Sequence, residues 1–245
     1  MKKPRSIKLI GVYDYTVILT YLSLVCAIIG MTRAVHGDYK MAVVCLITAG
    51  IFDSFDGLVA RTKKNRTEDE KNFGIQLDSL CDVIGFGVFP ALICYLLGVR
   101  GVLGIMLVCF FCICAVIRLA FFNVLEGKRQ QTESGGNKRY RGMPVTTVAF
   151  ILPLLFWAQY VVSDFAFMVM LHVFLLLSGF LFVLDFPMKK PTLKQNIVLI
   201  SLAVVTLAII FTYTTYRAPA PEVETNPIVE EIEDMMEEIY EAETP

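Results

Sequence analysis

The chain has 245 residues, of which 56% are hydrophobic, and a mean hydropathy of +0.63. Soluble domains carry about 45 to 50% apolar residues, so this composition excludes an ordinary soluble protein. It predicts an all-α polytopic membrane protein. The formal net charge of −1 hides an asymmetry, because residues 1–221 hold 22 basic and 13 acidic residues, whereas residues 222–245 hold ten acidic and no basic ones.

Seven apolar runs are long enough to cross the hydrocarbon core of a bilayer, which needs about 17 to 20 residues. They cover residues 16–32, 41–60, 74–97, 102–125, 144–161, 165–185 and 195–214. The first and fifth are the shortest. The first run lacks the small-residue cleavage pattern of a signal peptide, so we expect it to remain in the mature protein as a span.

Basic residues alternate between the two sides of these spans. One side holds 17 of the 22, in the N-terminal segment and the second, fourth and sixth connections. The other side holds only Arg33, Lys40, Arg100 and Arg217, and Arg118 lies within a span. Because Lys and Arg are enriched on cytoplasmic flanks, this alternation predicts a cytoplasmic N-terminus and supports the number of spans. The basic clusters 61–71 and 128–141 set this topology; alternatively, they contact anionic lipid or substrate phosphate.

The pattern divides the chain into four parts. Residues 1–11 are a basic cytoplasmic segment, residues 12–185 a transmembrane domain, residues 186–216 a basic loop with an extra span, and residues 217–245 an acidic tail. The tail is predicted to be disordered, although the apolar residues between Ile228 and Tyr240 also have the spacing of a short amphipathic helix. If the seventh span forms, the tail lies outside the cell.

Four aspartates lie inside two of the apolar runs. They occur in the patterns Asp53-x-x-Asp56-Gly57-x-x-Ala60-Arg61 and Gly74-x-x-x-Asp78-x-x-x-Asp82. An ionisable residue within a membrane span costs at least about 2.5 to 3.5 kcal/mol, so four together imply a charged partner. At 1.5 Å per residue, Asp53 and Asp82 each lie about 12 Å from the cytoplasmic boundary, so antiparallel helices would bring the acids to one depth.

Oxygen-only ligands select hard divalent cations, and Mg²⁺ or Mn²⁺ is therefore the predicted partner of Asp53, Asp56, Asp78 and Asp82. Two such ions can hold a diphosphate and an attacking hydroxyl group. Gly57 and Ala60 leave room for a ligand beside the backbone, and Arg61 is placed to bind a phosphate. A proton or cation pathway would also explain buried acids, but not the ordered Gly, Ala and Arg.

Arg118 lies eight residues before Glu126 and therefore at about the same depth as the acids, on a third helix. Its planar, permanently charged guanidinium makes it a candidate phosphate clamp, or alternatively a counter-ion for one aspartate. The cysteines have no zinc-type ligand spacing and are predicted to be buried small hydrophobes. They are Cys26, Cys45, Cys81, Cys94, Cys109, Cys112 and Cys114.

The aspartate pattern resembles the signature of the CDP-alcohol phosphotransferase family, D-G-x-x-A-R-x8-G-x-x-x-D-x-x-x-D with an Asp three residues upstream. All residue types match, but twelve residues, 62–73, separate Arg61 from Gly74, about four more than in the signature. These residues form a polar connection, and loops tolerate insertions. The resemblance covers residues 12–185.

Flanking residues are most similar to the integral-membrane phosphatidylserine synthases within this family. The stretch from Gly74 to Pro90 resembles their G-x-x-x-D-S-L-x-D-x-x-x-F-G-x-x-P, 118–123 resembles R-L-A-R-F-N, and 141–144 resembles the segment opening their fifth helix. Phe121 stands in place of the second Arg, and Ser23 in place of an Asn in the first helix, so the acceptor contacts differ. A second lineage of such enzymes uses paired H-x-K motifs, which His36 and His172 do not form.

The resemblance implies a six-helix core that transfers the phosphatidyl group of CDP-diacylglycerol to the hydroxyl of L-serine. Asp53, Asp56 and Asp78 would bind one Mg²⁺ or Mn²⁺, and Asp53, Asp78 and Asp82 a second. The implied catalytic residues are Asp82, as general base, and Asp78. Nucleotide and diphosphate would contact Asp56, Gly57, Ala60, Arg61 and Gly74, with Arg118 as the clamp proposed above.

The implied partners are CDP-diacylglycerol, L-serine, membrane lipids and a second copy of the chain in a homodimer, with no nucleic acid. We expect a multi-pass protein of the cell membrane whose site faces the cytoplasm. Glycerol 3-phosphate, inositol, inositol phosphate and choline are alternative acceptors. Because Arg118 is the only basic residue within the spans, an uncharged hydroxyl-bearing head group is favoured over a phosphorylated one; alternatively, Lys138, Arg139 and Arg141 approach the cavity from their loop. A membrane cation transporter is the alternative of another class.

Overall fold

A computed structural model describes residues 10–60, 62–131 and 139–189. The predicted seventh span at 195–214, the acidic tail and Arg61 lie outside these residues. Within them the body is helical, with α1 at Ile18–Val35, α2 at Tyr39–Ala60, α3 at Glu68–Asp82, α4 at Phe89–Leu96, α5 at Gly101–Gln131, α6 at Val148–Ala158 and α7 at Asp164–Val183. Single 3₁₀ turns, Tyr15–Val17 and Val145–Thr147, precede α1 and α6.

Five helical segments of the described chain are long and apolar enough to cross a membrane, and a sixth is shorter. The five are Tyr15–Val35, Tyr39–Ala60, Glu68–Leu96, Gly101–Gly127 and Asp164–Val183, and the shorter one is Val145–Ala158. These segments coincide with the first six predicted spans. Large apolar side chains on their outer surfaces, such as Val102 and Phe165, are exposed, as expected of a protein whose solvent there is lipid. The chain is a multi-pass membrane protein.

Helix α3 begins earlier than its hydropathy predicts. Thr67 accepts a hydrogen bond from the backbone N–H of Glu70 at 3.2 Å, and the Glu70 carboxylate accepts one from the Thr67 N–H at 3.0 Å. This capping box satisfies two backbone donors and starts the helix at Glu68. Residues 68–73 were predicted to be loop, and they form the polar first turns of α3 instead.

The long segment Glu68–Leu96 is not a uniform α-helix. A π-helical turn at Val83–Val88 separates α3 from α4 and follows Asp82 directly. Its Gly85, Phe86 and Gly87 are buried. Such turns are rare and often occur at functional sites, because they change the direction in which neighbouring side chains point.

Small residues allow the helices to approach closely. A Cβ added at Gly30 of α1 would lie 2.8 Å from Cys45 Cβ of α2 and 2.3 Å from the Phe89 ring. A Cβ at Gly50 of α2 would lie 2.7 Å from Ala149 Cβ of α6. Membrane helices associate through such close packing, since lipid offers no hydrophobic driving force between them. α1 therefore packs along α2, and α6 contacts α2 on another side.

One end of the bundle carries the connection 62–67 and a short two-stranded ribbon that the sequence did not predict. Strand β1, Arg139–Arg141, pairs antiparallel with β2, Pro187–Lys189, so the connection before α6 is joined to the segment after α7. Helices α5 and α7 pack along each other beneath this ribbon. We call this the ribbon end of the bundle.

Candidate active site

The four motif aspartates converge between α2 and α3. Asp53, Asp78 and Asp82 each place one carboxylate oxygen within 4.8 Å of the others. Asp56 approaches Asp78 and accepts a hydrogen bond from the hydroxyl of Thr20, on α1, at 3.1 Å. The expected meeting of acids from two helices is therefore present, and α1 supports it from a third.

The aspartates line a cavity of about 550 Å³, which we call the acid cavity. Its wall combines α2, α3, α5 and the turn before α6. The lining residues are Asp53, Asp56, Asp78, Ser79, Asp82, Arg118, Leu119, Phe122, Pro144, Val145 and Thr146. Arg118 is the one basic residue among them, so a single guanidinium faces four carboxylates across a space large enough for a small ligand.

A second cavity of about 460 Å³ shares Asp56 and Asp78 with the acid cavity. We call it the motif cavity, because it collects the small residues of the signature. Its lining residues are Thr16, Val17, Thr20, Asp56, Gly57, Ala60, Arg66, Lys71, Gly74, Ile75 and Asp78. A Cβ at Gly57 would meet no atom within 4 Å, so packing alone does not require glycine there.

Arg118 is fixed in place by the segment before α6. The side chain is only 5% exposed, and its Nε donates to the carbonyl oxygen of Met143 at 3.0 Å. Gly142 has φ of +73°, a conformation that glycine adopts without strain, and its N–H donates to Phe186 O at 2.9 Å. The glycine thus turns the chain so that the next carbonyl meets the guanidinium.

Ser79 and Asn123 connect α3 to α5 behind the aspartates. The Ser79 hydroxyl donates to Asn123 Oδ1 at 2.7 Å, and Asn123 Nδ2 donates to Gln76 Oε1 at 3.3 Å. Because Ser79 follows Asp78 directly, this network limits rotation of α3 and so of the carboxylates it carries. The Ser79–Asn123 bond is part-buried and the Asn123–Gln76 bond is exposed, so the network runs from the cavity to the surface of the bundle.

Comparison with known proteins shows a family match over most of the chain. The family model described as CDP-alcohol phosphatidyltransferase matches residues 15–215. The chain belongs to this family. The match includes both halves of the aspartate motif and every described helix, and it extends through the region of the predicted seventh span.

Curated relatives in the family carry related names. An archaetidylserine synthase of Methanothermobacter thermautotrophicus is 33% identical over 133 residues, which is 54% of this chain and 53% of that protein. A CDP-diacylglycerol–serine O-phosphatidyltransferase of Saccharomyces cerevisiae is 40% identical over 103 residues, 41% and 36% of the two chains. One of the same name from Helicobacter pylori is 32% identical over 144 residues, 58% and 56%. The aligned regions thus span between about a third and three fifths of these relatives.

Two positions depart from the phosphatidylserine synthase pattern within the family. Ser23 is buried and its hydroxyl donates to Ala49 O at 3.0 Å, so it joins α1 to α2. Phe121 lines a third cavity of about 700 Å³ with Arg118, Gly142 and the segment 182–185. This cavity is mainly apolar and meets the acid cavity at Arg118, where an arginine at position 121 would have added a second charge.

An ion-pair cluster ties the segment before α1 to α3. Lys63 Nζ contacts Asp14 Oδ2 at 2.8 Å and Glu70 Oε1 at 3.0 Å. Hydrogen bonds from Lys63 and Thr16 lower the pKa of Asp14 to about 2. The same contacts with Asp14 and Glu70 raise the pKa of Lys63. These groups stay charged near neutral pH and join the segment before α1 to the first turn of α3.

Several residues of this family site were not singled out from the sequence. Thr20 and Thr146 reach it only through packing, and no local pattern marks them. Ser79 and Asn123 lie in the segments that resemble phosphatidylserine synthases, so the sequence could have indicated them. Arg66 lies in the longer connection between the two halves of the motif, a region that the motif itself leaves unspecified.

Proposed function

We propose that the protein transfers the phosphatidyl group of CDP-diacylglycerol to the hydroxyl of L-serine, giving phosphatidylserine and CMP. The observation that carries the proposal is the acid cavity, where Asp53, Asp78 and Asp82 converge in a member of this family. The names of the serine-transferring relatives support serine as acceptor. The sequence resemblance described above points to the same reaction.

The aspartates fit divalent cations. Asp78 Oδ1 is buried and has no hydrogen-bond partner among the described residues, which is costly for a carboxylate oxygen unless a cation binds it. All nearby ligand atoms are oxygens, the set that Mg²⁺ or Mn²⁺ prefers. Asp53, Asp56, Asp78 and Asp82 would hold two such ions. Bound there, the ions would supply positive charge that neutralises the diphosphate and stabilises the departing phosphate.

The chain's own residues would orient and deprotonate the acceptor. Asp82 lies at the inner end of α3, where it would accept the proton of the serine hydroxyl as general base. The serine oxygen forms a bond to the phosphorus bearing the lipid, and the bond from that phosphorus to the CMP oxygen breaks. CMP leaves with the electron pair. Arg118, held by Met143 O, would bind a phosphate oxygen through its guanidinium.

The motif cavity is the proposed place for the nucleotide. Gly57, Ala60 and Gly74 line it, a Cβ added at Gly57 would meet no atom within 4 Å, and Asp56 lines this cavity as well as the acid cavity. Arg61 belongs to the proposal through the family motif. The lipid tails would remain among the apolar outer surfaces of the helices, while serine and CMP exchange with water at the ribbon end, which we propose faces the cytoplasm of the cell.

Serine is favoured over phosphorylated acceptors by charge. Among the described residues that line the acid cavity, Arg118 is the one cation, and the diphosphate already requires it. Glycerol 3-phosphate or inositol phosphate would bring two further negative charges, for which the described residues lining this cavity offer no second basic side chain. The hydrophobic Phe121 sits where a second arginine would otherwise stand, which is consistent with an acceptor that carries no phosphate.

The proposal is tested by following CMP release from CDP-diacylglycerol. Full-length protein in detergent micelles is incubated with Mn²⁺ or Mg²⁺ and, separately, serine, glycerol 3-phosphate, inositol, inositol phosphate or choline. We expect release that requires both the cation and serine and stops on chelation. No release with any acceptor would reject the transferase and leave the cation transporter. Release with another acceptor alone would reject serine.

A homodimer, expected from the family resemblance, belongs to the same proposal. Mass photometry or native mass spectrometry of the protein in nanodiscs should give twice the mass of one chain. A single-chain mass at all concentrations would reject it.

A further inference from the structure

The longer connection between the two halves of the motif places a cation in the motif cavity. Arg66 lies in this connection and lines the cavity together with Gly57, Ala60 and Gly74. Its Nη2 donates to the backbone carbonyl of Glu70 at 3.2 Å, which directs the side chain over the first turns of α3. The guanidinium is therefore held at the cavity wall rather than extended into solvent.

Arg66 packs directly on a motif glycine. A Cβ added at Gly74 would lie 2.7 Å from Arg66 Nη2, closer than unbonded atoms approach. Glycine at position 74 thus leaves the space that the guanidinium occupies. This contact joins a residue outside the signature to one inside it.

Arg66 forms no ion pair with an acid of the described chain, although Asp56 and Asp78 line the same cavity. Two neighbouring lysines are paired, Lys63 with Asp14 and Glu70, and Lys71 with Glu68 at 2.7 Å. Arg66 takes part in none of the ion pairs that the described residues form, and its buried Nε has no hydrogen-bond partner among them. A buried guanidinium N–H without an acceptor is costly, so an anionic ligand would improve the site.

We propose that Arg66 binds a phosphate of the cytidine nucleotide in the motif cavity. This inference rests on the proposed function and deepens it, because it adds a substrate-binding residue that the family motif does not contain. The guanidinium is planar and carries paired N–H donors that match phosphate oxygens. Gly74 serves the nucleotide indirectly, by leaving room for Arg66.

The test measures nucleotide binding rather than turnover. Full-length protein in micelles with Mn²⁺ is titrated with radiolabelled CMP, and cytidine is measured by competition against it. The ratio of the two affinities within one preparation reports the contribution of the phosphate and does not depend on the folded fraction. In Arg66→Gln we expect this preference for CMP over cytidine to fall about tenfold, the size of a lost charged hydrogen bond.

Lys64→Gln is the matched control, because Lys64 is an exposed cation in the same connection and does not line the cavity. It should keep the wild-type ratio. Arg66→Lys keeps the charge but not the planar pair of N–H donors, so its preference for CMP over cytidine should lie between those of wild type and Arg66→Gln. Gly74→Ala alone should lower the preference for CMP over cytidine. Added to Arg66→Gln in a double variant, it should have little further effect.

The outcomes separate the inference from the function on which it rests. If the wild-type protein binds neither CMP nor CDP-diacylglycerol, the proposed function fails. If it binds CMP but Arg66→Gln and Lys64→Gln leave the same preference for CMP over cytidine, the function stands and Arg66 is not a phosphate ligand. A parallel loss in both variants would indicate general electrostatic attraction by the connection and would also overturn the assignment.

Discussion

Replacing Asp53 by Asn should stabilise the metal-free protein and remove its response to divalent cations. The three converging carboxylate oxygens lie within 4.8 Å of one another. At that distance, with an effective dielectric constant of about 20, two unit charges repel by about 3.5 kcal/mol. Asp53→Asn removes two of the three repulsive pairs, an upper bound of about 7 kcal/mol that protonation of the clustered carboxylates and side-chain relaxation reduce.

Even if relaxation absorbs most of this repulsion, about 1 kcal/mol should remain. A change of that size raises the unfolding midpoint of a domain of this length by about 2 to 4 °C. We therefore expect Asp53→Asn to unfold at a higher temperature than wild type in chelator. Added Mn²⁺ should raise the wild-type midpoint, because binding to the folded state alone is stabilising, and should raise that of the variant much less.

The measurement is intrinsic-fluorescence unfolding in detergent micelles, with chelator and then with increasing Mn²⁺. Asp69→Asn is the control, because Asp69 is an exposed acid on the first turn of α3, away from the cavity. It should respond to Mn²⁺ like wild type. A metal-free midpoint of Asp53→Asn at or below that of wild type, together with an undiminished response to Mn²⁺, would refute the electrostatic reasoning.

Three further changes test the catalytic base, the helix packing and the ion pairs. Asp82→Asn should lower turnover at least about a hundredfold while the protein stays folded by size-exclusion chromatography; full activity would exclude Asp82 as base. Gly30→Ala should lower the unfolding temperature, because its new Cβ would lie 2.3 and 2.8 Å from neighbouring atoms. Gly127→Ala is the control and should leave the unfolding temperature unchanged, because its Cβ would meet nothing within 4 Å. Equal unfolding midpoints for the two variants would contradict the packing. The folded-state pKa of Asp14, about 2, is below its ordinary 3.8, so its bond to Lys63 stabilises above about pH 4 and is lost as pH falls toward 2. Acid titration of stability should therefore be shallower in Asp14→Asn than in wild type, and identical slopes would count against the pair.

Much of the arrangement could be predicted because it depends on local pattern and simple geometry. The first six spans follow from hydropathy, and the meeting of Asp53 with Asp82 follows from a rise of 1.5 Å per residue in antiparallel helices. The depth of Arg118 follows from the same count. These features depend on residue spacing within single helices, so one sequence is enough to predict them.

Other features required the tertiary structure. The early start of α3 was not predicted, because a polar helical turn has no hydropathy signal. Thr67 and Glu70 nevertheless have the spacing of a capping box, which could have indicated it. The bond from Arg118 to Met143 O depends on how the segment before α6 folds back. The position of Arg66 over Gly74 depends on the path of a connection whose length departs from the family signature.

The carboxylates shared by the two cavities have a kinetic consequence. Asp56 and Asp78 line both the motif cavity and the acid cavity. On the proposed function, a nucleotide in the first cavity and an acceptor alcohol in the second would reach these carboxylates while both are bound. Neither substrate has to leave before the other enters, so initial-rate plots against both substrates should intersect rather than run parallel, the pattern of a ternary complex instead of a substituted-enzyme cycle.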